Sequence, residues 1–220
     1  MHHIQHHILT ILSVTKWARF SDMRPPKVDS NAYSYHLKLL QRQKLIEKHS
    51  DKGYRLSPLG LAMVDRMSTT ELQLRVQPKI ITMCLLYDEN DKILLLAKSK
   101  QPFVGAWTFA SGKLHLEDGG ARAAMIRELK ERVDVAPNAT LAHAADVYIS
   151  AAINGQFVST VLAHVFTMRI AASEVVRTDV LWTDNADRQT LQLAPGVKEV
   201  CELIEQHPGE FVFGEYHIDW

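Results

Sequence analysis

The residues best equipped for chemistry stand together between Ser111 and Val135. A turn, Ser111-Gly112-Lys113, leads into a loop carrying Glu117, Asp118, Gly119 and Gly120. Then comes a charged run, Arg127-Glu128-Leu129-Lys130-Glu131-Arg132. Ile126, Leu129 and Val133 recur at i, i+3 and i+7, which predicts a helix that buries this stripe. At about 100° per residue, Glu128, Glu131 and Arg132 then gather on the opposite face. Two carboxylates one turn apart beside an acidic loop suit a hard, oxygen-seeking cation such as Mg²⁺. A cation held there can in turn hold a pyrophosphate.

The stretch resembles the Nudix box, whose pattern is G-x5-E-x7-R-E-U-x-E-E-x-G-U, with U aliphatic. Gly112, Arg127, Glu128, Leu129, Glu131 and Val135 match it, and Trp107-Thr108-Phe109-Ala110-Ser111 resembles the family's lead-in. The resemblance implies a Nudix α/β/α sandwich with a mixed sheet over residues 78–206. It also implies Mg²⁺-dependent cleavage of a nucleoside diphosphate linked to another moiety. Under it, Glu128 and Glu131 are metal ligands, and the loop acid that assists them is Glu117 or Asp118. Glu128, Glu131 and Arg127 form the catalytic set, with Arg127 holding the loop, and Gly112 and Lys113 lie against the ligand.

Three positions depart from the pattern. The spacing from Gly112 to Arg127 is one residue longer than the family's, Arg132 replaces the second glutamate of the Glu-Glu pair, and Asp134 replaces the late glycine. At Arg132 a negative charge gives way to a positive one. Unit charges about 4 Å apart interact by about 4 kcal/mol at an effective dielectric of about 20. Arg132 stands at i+4 from Glu128, so it can pair with that carboxylate and take the metal's place. The substitution favours binding a nucleotide-type ligand over turning it over.

These residues need a scaffold, and 220 residues suffice for one large domain or two small ones. Net charge is zero, yet residues 1–70 hold 11 Lys/Arg against 5 Asp/Glu, while the remainder is acidic. That asymmetry predicts two domains, 1–76 and 77–220, the first with a polyanionic partner. Apolar runs are only strand-sized, which excludes a membrane-spanning helix. Cys84 and Cys201 sit in apolar contexts as expected of buried thiols in a reducing cytoplasm, and no signal-peptide pattern opens the chain.

In the first third, Ile4, Ile8, Leu9, Ile11 and Leu12 predict a helix. His2/His6 and His3/His7 stand at i, i+4 there; a polar helix end explains them without a metal. A short second helix is expected over Lys16–Met23, ended by Pro25-Pro26. A third runs from a Ser30 or Asp29 cap to about Lys44. Its Ser34-Tyr35-His36-Leu37, the following Leu45-Ile46 and a hairpin over Glu47–Leu56 resemble a winged-helix DNA-binding domain. Asn31, Ser34, Tyr35 and Lys38 would face the major groove, and Arg42, Lys48, Lys52 and Arg55 the phosphates. Ser57-Pro58 opens a further helix, extending to about Leu74, as the contact of a homodimer.

In the second part, hairpins are predicted for Ile80–Tyr87 with Ile93–Ala97 and for Ala144–Ala152 with Gln156–Arg169. Val180–Trp182 reads as a late strand. Ala194-Pro195 opens a closing helix whose Val197, Val200, Cys201 and Ile204 face inward. The aromatic tail, Phe211 to Trp220, is expected to dock on a surface. The fold class is α+β, a winged helix followed by a Nudix-type sandwich. The function this supports is a transcription regulator sensing a nucleotide-type ligand, with the Mg²⁺-dependent hydrolase as the alternative.

Overall fold

The computed structural model describes residues 1–65 and 77–220. The chain divides into two compact units, Met1–Val76 and Gln77–Trp220.

The first unit holds helices α1 (His3–Val14) and α2 (Ser30–Arg42), strands β1 (Ile46–His49) and β2 (Gly53–Leu56), and helix α3 (Pro58–Asp65). The Asp29 carboxylate caps α2 by accepting the Asn31 and Ala32 amides. Ile4, Ile8, Leu9 and Leu12 of α1 pack with Tyr33, Leu37 and Leu40 of α2 in a core closed by Ile46, Tyr54 and Leu56. No helix forms over Lys16–Met23. Ala18 instead bonds both ways with Tyr54, at 3.0 and 2.9 Å, so this segment serves as a third strand position beside the hairpin. Gly53 permits the approach: a Cβ there would lie 2.4 Å from the Ala18 carbonyl oxygen. The order is helix, helix, two-stranded hairpin and helix, with this bridge and turn where a middle helix was expected. The proposed continuation of α3 to Leu74 falls outside the described residues.

The second unit is built on one mixed sheet. Its elements are β3 (Lys79–Tyr87), β4 (Ile93–Ala97), β5 (Trp107–Thr108), β6 (Ala110–Lys113), α4 (Ala121–Val133), β7 (Ala142–Ile153), β8 (Gln156–Arg169), β9 (Val180–Thr183), α5 (Asn185–Thr190), α6 (Val197–Gln206) and β10 (Val212–Asp219). The sheet runs β10-β7-β8-β3-β4-β5, with β6 on β3 and β9 on β4. Alternation along each strand feeds two cores. Leu85, Leu95, Val147 and Val165 face α6, whose Val197, Val200 and Cys201 are buried. Cys84, Leu86, Leu94 and Phe166 face α4, whose Met125, Leu129 and Val133 are buried. Both thiols are free, one in each core. Among the described residues no helix is long and apolar enough to cross a membrane.

The aromatic tail docks as β10, a parallel neighbour of β7 paired from Val212 to Asp219, and the Trp220 indole donates to the Leu193 carbonyl. On α4, Leu129 and Val133 of the expected stripe are buried, but its third member is not. Ile126 is 37% exposed, while Met125 takes its place and Glu128 is only 3% exposed.

Candidate functional site

Glu128 is buried because β6 lets it in. Gly112 faces α4, and a Cβ at that position would lie 1.9 Å from the Glu128 carboxylate. Glycine is required there for close approach, not for an unusual φ. Burial leaves the carboxylate to be satisfied by protein donors. The Arg127 guanidinium donates to Glu128 Oε1 at 2.6 Å, and Arg132 Nε donates to Oε2 at 3.1 Å.

Arg127 also ties the loop. Its Nε and Nη2 donate to the two Asp118 oxygens at 2.7 and 2.9 Å, and Nη2 reaches the Lys113 carbonyl at 3.0 Å. Asp118 further accepts the His115 amide at 2.7 Å. This two-pronged pairing, then the amide, holds the Asp118 carboxyl well below the usual carboxylate range. In the same exchange Arg127 is held above the ordinary guanidinium value. The longer loop is thus closed by Asp118. Asp134 ends α4 at φ 56°, the left-handed turn a glycine takes most easily, and pairs with Lys130.

As arranged, these groups do not fit a Mg²⁺ ion. Each oxygen of Glu128 and Asp118 already meets a guanidinium nitrogen. Glu131 is half-exposed and lies 3.5 Å from Arg127. Glu117 points to solvent, 3.8 Å from the His115 ring. Other acids are engaged elsewhere: Glu174 with the Ala171 amide, Asp184 capping α5, and Glu210 beside His207.

The face of this cluster opens into a cleft of about 550 Å³, a size suited to a small ligand. Gly112, Lys113, Arg127, Glu128, Glu131 and Arg132 line it; Glu117 and Asp118 do not. Lys79, Lys98 and Lys100 also line it, giving six Lys/Arg side chains against two glutamates. Sequence reasoning missed these three lysines, although a lysine at the end of an apolar strand is a readable signal: Lys79 opens β3 and Lys98 follows β4. Lys79 and Lys98 are both held below the ordinary lysine value, by burial first and then by neighbouring cations. Such crowded cations favour an anionic ligand, which would relieve their repulsion. Phe103, Pro102, Met83 and Ile149 supply apolar walls.

In the first unit, Asn31, Tyr35, Lys38 and Arg42 are exposed along one face of α2, with Ser34 half-buried among them. Lys48, Lys52 and Arg55 are exposed on the hairpin. Arg55 is paired with Glu47 at 2.8 Å and lies over the Trp17 ring.

The NUDIX domain family model matches residues 77–192. The chain belongs to the Nudix family. Among solved structures, the mMutator MutT protein of Bacillus halodurans is 21% identical, covering 64% of this chain and 90% of its own, with a TM-score of 0.50; this likeness is one of fold. The NUDIX domain of Shewanella oneidensis NrtR, solved with ADP ribose, is 20% identical over 60% of this chain and 89% of its own, with a TM-score of 0.48. NrtR complexed with a 27mer DNA gives 20% identity, a TM-score of 0.49 and coverage of 58% of this chain, but only 60% of that one. No curated protein matches the sequence.

Proposed function

We propose that this chain is a DNA-binding transcription regulator whose Nudix domain binds a nucleoside-diphosphate-type ligand without hydrolysing it. One observation carries the reading: the buried Glu128 carboxylate is clasped by Arg127 and Arg132, so the box presents cations to the cleft. With Lys79, Lys98, Lys100 and Lys113 on the other walls, the charge a pyrophosphate needs comes from side chains. The first unit supplies an exposed polar and basic face on α2 and a basic hairpin, the arrangement needed to meet a major groove and its flanking phosphates.

The hydrolase reading keeps one supporting observation. Arg132 is half-exposed, so a rotation of its side chain would free one oxygen of Glu128 beside Glu131. Calorimetric titration with nucleoside diphosphate sugars, ADP-ribose among them, separates the readings. Binding in excess EDTA, unimproved by Mg²⁺, supports the regulator; binding only with Mg²⁺ supports the hydrolase.

A further inference from the structure

β7 carries an irregularity that its sequence does not announce. Residues three apart on a regular strand point to opposite faces of a sheet, so His143 and Asp146 should diverge. The register slips between His143 and Ala145, and this bulge re-aims His143. His143 now pairs across from Phe166 and Asp146 across from His164, which puts all three polar side chains on the α4 side of the sheet.

They converge there. Asp146 Oδ1 lies 2.8 Å from His143 Nε2 and 2.7 Å from His164 Nδ1. The three donor atoms all fall within 4.8 Å of one another. The His143 ring stacks on Phe166 at 4.9 Å and meets the edge of Phe211 at 5.0 Å, which fixes its orientation. None of the three residues lines the cleft, and the trio is partly open to solvent.

We propose that His143, Asp146 and His164 form a binding site for a divalent transition ion of the zinc class, separate from the Nudix cleft. Two imidazole nitrogens and one carboxylate oxygen suit Zn²⁺ or Co²⁺ rather than Mg²⁺ or Ca²⁺. Metal–nitrogen bonds of about 2.0 Å place tetrahedral ligand atoms roughly 3.3 Å apart, so the two Asp146–His spacings need open by only about half an ångström. Three protein donors leave the fourth position to water. The ion would clamp β7 to β8 at the bulge. The proposal does not depend on what the cleft binds.

The test uses the full chain and Zn²⁺ alone, followed by the imidazole NMR signals of individual histidines. Site-resolved signals matter, because His2, His3, His6 and His7 at the N-terminus can take metal independently. One equivalent of Zn²⁺ should move the His143 and His164 ring signals together and raise Tm by several degrees at high excess over Kd. His164→Ala should remove the shift at His143 and weaken binding at this site at least about tenfold. His164→Asn, which keeps a polar head of similar size, should do the same with the amide spectrum unchanged. If saturating Zn²⁺ moves only the N-terminal histidines in the wild type, the trio is a hydrogen-bonded cluster and the proposal fails, however the variants fold.

Discussion

The proposed reading of the site turns on a single substitution. At Arg132 the chain places a guanidinium where the family pattern has a carboxylate, and the side chain turns back one helical turn onto Glu128. The family glutamate is thereby satisfied by protein donors, while Asp118 is committed to Arg127. The Asp118 pairing has a pH signature. Its folded-state pKa lies below the unfolded value of about 3.9, so its contribution is fully present above that value. That contribution is lost as pH falls through the depressed folded value. Asp118→Asn should therefore lower stability at neutral pH, and the gap to wild type should close as pH drops below about 4. Chemical denaturation across pH checks this; a gap that widens in acid would contradict it.

Among elements, α4 binds the sheet to the site. Leu129 is fully buried against Cys84, Leu86 and Phe166, on the helix that also carries Glu128. Leu129→Ala should cost about 2–5 kcal/mol of stability, measured by denaturant unfolding, because the cavity cannot fully collapse beneath a sheet. Both hairpins, the box helix and the closing helix were legible in the sequence, since their period-2 and 3.6 patterns and their turn residues agree. Three features were not. Periodicity fixed the helix of α4 and two of its three buried positions but not Ile126, which looks as apolar as Met125, and only the Gly112 gap admits Glu128 to the buried side. Lys16–Met23 has helical composition, yet two backbone bonds between Ala18 and Tyr54 make a bridge there and the chain turns just after it. The tail's apolar residues alternate from Val212 to Ile218, but nothing local announces a parallel partner 67 residues upstream (Val212 on Ala145).

At the scale of the whole molecule, the first unit is basic and the second holds a cleft lined by six Lys/Arg side chains. Full-length protein should bind duplex DNA with an affinity that falls steeply with salt, and Lys38→Ala with Lys52→Ala should weaken it uniformly across sequences. Fluorescence anisotropy at several salt concentrations measures both; salt-insensitive or absent binding would remove the regulator from consideration. The central claim, however, concerns the cleft. It is tested most directly by the Mg²⁺-dependent rate at which wild type and Arg132→Glu hydrolyse a nucleoside diphosphate sugar. Restoring the carboxylate should create Mg²⁺ binding and measurable pyrophosphate cleavage, while the wild type binds the same compound and leaves it intact. Robust Mg²⁺-dependent cleavage by the wild type, abolished by Glu128→Gln, would contradict the account.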